Sequence, residues 1–192
     1  MKVKFVFFFL MAIAVIFSGC EGKKESEKKQ AEKKGPTGYI INFKPNDSLE
    51  LVPPKTIILQ PSSAEGLNIF CLDVMAKGVD RVSGLSFDLN FDAAFIRYQN
   101  FKPGTLFEST GKAVYQVAPR PDQKGKLGVK ISMEAGGEGP SGTGKVVTLC
   151  LQALEPGRID FQMEGGEMLD RQKKKVAEAK WVGGLLWVLA SG

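Results

Sequence analysis

Histidine is absent from all 192 residues. That removes Ser-His and Cys-His nucleophile activation and histidine-based zinc sites together. Cysteine is scarce, at positions 20, 71 and 150, and so is tryptophan, at 181 and 187. Long apolar runs are missing too: residues 5–17 make the longest, 13 residues against the roughly 20 that a membrane-spanning helix needs. Beyond residue 38 there is no helical periodicity. A basic excess is also missing from that part, although the chain carries a net charge of +5. Lys2 and Lys4 supply two of those charges, and six Lys against four Glu in 21–34 supply two more, which leaves about +1 for the rest. Nucleic-acid binding needs a concentrated basic face on the folded part. The one basic run there, RQKKK at 171–175, reads as a solvated loop, so no nucleic-acid partner is expected.

What is present begins with an address. Lys2 and Lys4 precede FVFFFLMAIAVIF, and small residues Ser18 and Gly19 precede Cys20. A basic start, a short apolar run and small residues at the cut describe a cleaved signal over 1–19. The FSGC ending resembles a bacterial lipobox, which implies that Cys20 is acylated and becomes the first mature residue. Acyl chains bind a bilayer firmly, because each buried methylene contributes about 0.8 kcal/mol. Glu21 rather than Asp follows the cysteine, and by resemblance to lipoprotein sorting this implies the outer membrane, on its periplasmic or surface side. Residues 20–38 form the lipidated cysteine and a charged linker. Within EGKKESEKKQAEKKG the one apolar side chain is Ala31, so burial cannot offset chain entropy and a disordered spacer is expected.

From residue 39 to 192 the chain reads as one domain of short apolar runs separated by turns. The clearest run is VSGLSFDLNFD at 82–92. Leu85, Phe87, Leu89 and Phe91 alternate with Ser86, Asp88, Asn90 and Asp92, the mark of a strand with one dry and one wet face. Further strands are predicted near 56–60, 67–75, 113–118, 127–133, 146–153, 158–163 and 181–189, with an extra leading strand at 39–43. Residues 92–98 fit either one helical turn or another strand. Turns rich in Gly and Pro separate these runs, including PSSAEG, KPGT, PDQKGK and GGEGPSGTG. The prediction is an all-β fold: a two-sheet antiparallel β-sandwich with jelly-roll topology.

The ordered set of segments is similar to the cohesins, within the wider group of cohesin and carbohydrate-binding β-sandwiches. GLSFDLNFDAAFIRYQNFKPGTLF at 84–107 resembles that family's strand, its Asp-containing corner and the following Gly-Leu-Phe segment. GKLGVKIS, SGTGKVVTLCLQAL, EPGRIDF and KWVGGLLWV follow in the family's order, so the resemblance spans roughly 56–189. The family's topology sets strands 67–75 and 146–153 side by side and antiparallel. It thereby implies a cross-strand disulfide between Cys71 and Cys150 on the outer face of one sheet, as an exported location permits.

Catalysis is not expected. Asp88, Asp92, Glu134 and Glu138 are the acids that a glycosidase pair would draw on, but nothing in the sequence raises the pKa of any of them. Asp92 with loop carbonyls is the nearest approach to a calcium site, and a solvated acid is the simpler reading. No metal or cofactor is expected. In cohesins the sheet containing the counterpart of 82–91 receives a dockerin. Carried over, this implies a partner-binding strip of Ser86, Asp88 and Asn90, with Lys130, Ser132, Asp160 and Gln162 as outward neighbours. The expected function is a membrane-anchored, non-catalytic module that docks a protein, dockerin-like or another envelope component. The alternatives are a carbohydrate-binding module for an extracellular or wall polysaccharide and an accessory lipoprotein of a secretion or pilus assembly. Stacking of sugars requires exposed rings; Tyr98, Phe101, Phe107 and Tyr115 have a route to the surface but form no regular row.

Overall fold

The computed structural model describes residues 38–63, 65–134, 138–176 and 178–191. The expected signal segment, Cys20 and the expected spacer up to residue 37 lie outside them. Period-two alternation builds the strands, which run in order as β1 (Tyr39–Pro45), β2 (Thr56–Pro61), β3 (Ile69–Val79), β4 (Gly84–Asn90), β5 (Ile96–Pro103), β6 (Ala113–Pro119), β7 (Lys126–Met133), β8 (Gly142–Ala153), β9 (Gly157–Leu169), β10 (Lys180–Val182) and β11 (Gly184–Ala190). One short helix, α1 (Thr105–Glu108), lies between β5 and β6.

Two sheets form the sandwich. One has six strands in the order β1-β11-β9-β4-β7-β6, the other five in the order β10-β2-β3-β8-β5. All neighbours are antiparallel except β10 and β2, which run parallel. Successive strands switch repeatedly between the sheets, so the interior is built from inward residues of both. Leu85, Phe87 and Leu89 of β4 are at most 2% exposed and meet Leu72, Val74, Leu149 and Leu151 of the opposite sheet in one core. Phe161 sits at the centre of an aromatic cluster, with the rings of Phe43, Phe70 and Phe91 between 5.7 and 6.5 Å away.

Three sequence expectations are revised. Residues 181–189 are two strands in different sheets: β10 pairs with β2 and β11 with β9. The chain crosses at Gly183, where an added Cβ would lie 1.9 Å from the Phe161 carbonyl oxygen, so a side chain does not fit there. The strand expected at 158–163 continues to Leu169. Gly165, at φ +59°, accompanies a register shift opposite Ser86 and Asp88, which a left-handed glycine in a β-bulge accommodates. Residues 92–98 are neither helix nor uniform strand. Asp92 accepts from the amides of Phe95 and Ile96 in a turn, and β5 then starts at Ile96.

Cys71 and Cys150 face each other in register across β3 and β8, with Cα atoms 4.1 Å apart, and are joined by a disulfide. Their neighbours Phe70, Leu72, Leu149 and Leu151 occupy the core, so both cysteines lie on the outward side of the five-stranded sheet. Both are nonetheless buried. The Ser62 amide donates to the Cys71 carbonyl, and Glu65 carries its carboxylate to the sulfurs.

Candidate docking face

The outer face of the six-stranded sheet holds all seven residues of the expected strip. On β4, Ser86, Asp88 and Asn90 alternate with the buried Leu85, Phe87 and Leu89, so their side chains stand outward. Pairing sets Ser86 beside Lys130 and Gly84 beside Ser132 on β7. On the other flank Asn90 lies beside Gln162 of β9. Asp160, two residues back along β9, pairs instead with Leu185 of β11, at the far end of the strip. Register therefore gathers residues from 86 to 162 into one diagonal band, which no single stretch of sequence contains.

The charges within the band are not equivalent. Asp88 is tied rather than free: Arg120 donates to Asp88 Oδ1 through Nε at 2.9 Å and Nη2 at 2.6 Å. The guanidinium reaches it by crossing Gly128 of β7, where a Cβ would lie 2.8 Å from Arg120 Cζ. Neither Arg120 nor Gly128 carries a sequence signal for this role, since the turn between β6 and β7 reads as ordinary solvent-facing loop. Asp160 accepts from Gln162 at 2.7 Å, and Glu164 approaches Lys126 at 3.8 Å. Lys130 and Arg158 are exposed and form no ion pair among the described residues. Such surface pairs contribute little to stability, but they set which charges a partner meets.

At its Ser132 end the band opens into a depression of about 580 Å³, shared by Lys130 and Ser132 with Arg171 and Lys173 of the basic run. The run itself is a tight loop: Asp170 Oδ1 accepts from the Lys174 amide at 2.8 Å, and the Asp170 amide donates to the Lys174 carbonyl. At the opposite end the face turns apolar, because β11 presents Leu185, Trp187 and Leu189 outward while Leu186 and Val188 are buried. Arg158 lies directly across from Trp187. Alternation in LLWVL could have placed Trp187 outside, but only once Gly183 is known to end the preceding strand.

The other candidate groups do different work. Asp92 Oδ1 accepts from the Ala94 amide at 2.9 Å and so shapes the turn before β5. Phe107 is buried, and Tyr98, Phe101 and Tyr115 pack partly against the core. Phe101 and Tyr115 stack with centroids 6.1 Å apart, closing the side of the sandwich where β5 approaches β6. Burial raises the pKa of Tyr98; burial and then the Glu108 carboxylate raise that of Tyr115, whose hydroxyl donates to the Gly104 carbonyl.

No family model matches the chain, and no curated protein does. Solved structures do. A non-cellulosomal cohesin from the hyperthermophilic archaeon Archaeoglobus fulgidus is similar with a TM-score of 0.53 at 19% identity, over 69% of this chain and 89% of the cohesin. A type II cohesin domain from the cellulosome of Acetivibrio cellulolyticus is similar with a TM-score of 0.54 at 16% identity, over 72% of this chain and 96% of that one. The sixth cohesin of scaffoldin B from the same organism, solved in complex with a Cel5 dockerin mutant, gives 0.51 at 17% identity, over 68% and 96%. The sandwich described above is the fold of a cohesin module.

Proposed function

We propose that the domain is a non-catalytic docking module, which receives a protein partner of the dockerin type on the outer face of its six-stranded sheet. An acylated Cys20 holds it at the cell envelope, at the outer membrane. The observation that carries the docking reading is the bareness of that face. Seven polar side chains stand on regular strands, and among the described residues no chain segment folds over them, whereas the stretch between β1 and β2 covers the other sheet. A polar band of this kind, with Arg158 beside it, has the make-up of a hydrogen-bonded interface. Cohesins of the same fold, crystallised with dockerins, support the class of partner. Of the four acids that a glycosidase pair would draw on, Asp88 is engaged by Arg120 and Asp92 by its own turn. The rings that a polysaccharide would stack on at Tyr98, Phe101 and Tyr115 are turned toward the core.

Anchoring is supported by the sequence alone: a basic start, a 13-residue apolar run, Ser18-Gly19 before the cysteine, and Glu21 after it. In-cell photo-crosslinking tests the docking reading. A crosslinking residue at Lys130 or Gln162 should capture one defined protein, which then binds the purified chain. The same residue at Lys145, on the other sheet, should not capture it. Capture from Lys145 but not from Lys130 or Gln162 would move the partner to the wrong face and defeat the reading.

A further inference from the structure

Three of the five large apolar side chains that stand exposed among the described residues gather at one corner: Ile40, Leu67 and Leu189, at 58%, 74% and 56% exposure. Ile40 lies directly across from Leu189 between β1 and β11. The Tyr39 amide donates to the Leu67 carbonyl at 3.3 Å, which brings Leu67 to the same strand end. Trp187 extends the group along β11, two residues from Leu189 on the same face. Single exposed leucines are ordinary on a protein surface, but a contiguous apolar group marks a contact.

The place of this corner says what it meets. Gly38 sits within it, its carbonyl accepting from the amide and the hydroxyl of Ser191, and from Gly38 the chain runs back to Cys20. Those residues span at most roughly 65 Å even if fully extended. The spacer cannot cover the corner with matching chemistry, since Ala31 is the one apolar side chain in 21–34. A bilayer can: its interface accepts apolar side chains and favours tryptophan at the headgroup level.

We propose that the Ile40, Leu67, Leu189 corner, with Trp187 beside it, rests on the lipid surface that holds Cys20. This inference depends on the anchoring reading above. It gives the domain an orientation. The Ser132 end of the docking band then stands about the length of β9 away from the lipid, on the order of 40 Å at about 3.3 Å per residue.

The test uses the full chain, produced in a host that processes lipoproteins and recovered from its membranes. It carries Trp181→Phe, so that Trp187 is the one remaining indole. Reconstitution is into vesicles of phosphatidylethanolamine and phosphatidylglycerol, three to one, with and without brominated lipid. The expected result is loss of Trp187 emission in brominated vesicles. The emission should return in an Ile40→Glu, Leu189→Glu variant that still floats with the vesicles and melts as before. Flotation with unquenched Trp187 overturns the orientation and leaves the anchor standing, whereas failure to float overturns both. An intact mass that retains residues 1–19 would assign the quenching to the apolar run 5–17. A concentration-dependent blue shift of Trp187 without lipid would assign the corner to a second copy of the chain. Either result overturns the proposal.

Discussion

The two sheets treat their outer faces in opposite ways. Over the five-stranded sheet the chain itself supplies a cover. The stretch between β1 and β2 lies on it, where Val52, Ile58 and Val182 form a second small core with Leu49 and Met75 beside it. Lys77 pins that strap by donating to the carbonyls of Leu49, Glu50 and Val52 at 2.7–2.9 Å. Further along, Asp73 accepts from Thr148 at 2.5 Å and from Lys145 at 3.2 Å, the disulfide follows in register, and Glu65 pairs with Lys102 beside it. Lys77, Asp73, Thr148 and Glu65 thus each have a partner within the chain. Among the described residues the six-stranded sheet has no such strap, and its outward groups stay on the surface. One face has been spent on holding the sandwich together, and the other is available to something else.

Breaking the covered face should have the largest effect. The disulfide closes a loop of 79 residues. Replacing both cysteines by alanine should therefore cost about 4 kcal/mol in denaturant unfolding, by the chain-entropy relation. An unchanged midpoint would mean that the strap and ion pairs suffice without the cross-link. The next effect lies beneath the open face and checks that its bareness stops at the surface. A Cβ on Gly166 would sit 2.0 Å from Trp181 Cε2, and Trp181 in turn packs on Phe87 with centroids 5.6 Å apart. Gly166→Ala should cost about 2–3 kcal/mol through overpacking, read in the same unfolding experiment. A neutral result would mean that the interior under the docking sheet is loose.

The open face itself should behave in reverse. Ser86→Ala, Asn90→Ala, Lys130→Ala and Gln162→Ala each remove an outward side chain with no buried partner, so each should leave stability within about 0.5 kcal/mol. Combined, they should weaken a crosslink-identified partner at least about tenfold. Stability falling with binding unchanged would erase the contrast between the sheets.

Much of that contrast was legible in the sequence, and the reasons are local. Alternation in 85–91 fixes which side chains of β4 are wet, and parity together with the cohesin resemblance puts Cys71 and Cys150 on the face opposite Leu72 and Leu149. What stayed hidden depends on contacts between distant segments. Residues 158–163 read as a complete strand, whereas β9 continues through Gly165 and Gly166, which make a bulge and a seat for Trp181. Asp88 looked like a solvated acid because nothing in its neighbourhood announces Arg120, 32 positions away. The neighbour of the cysteines was equally hidden: Glu65 lies in PSSAEG, which reads as a turn, and only the folded chain brings its carboxylate to the sulfurs.

The smallest predicted effect concerns the strap. Asp47, at its start, accepts from Lys180 Nζ at 2.6 Å and from the Ser48 amide at 2.9 Å. First the lysine hydrogen bond and then the amide hold its carboxyl below the ordinary carboxylate range. A depressed pKa stabilises the folded state above the ordinary value, and that contribution is lost as pH falls through Asp47's own lower value. Lys180→Met should thus move the Asp47 carboxyl titration upward, toward the ordinary range, when followed by NMR, with little change in melting at neutral pH because the pair is exposed. If Asp47 titrates at the same pH with and without Lys180, then the strap is held to β10 by Val52 and Val182 rather than by charge. The covered face would then owe its order almost wholly to packing, Lys77 and the disulfide.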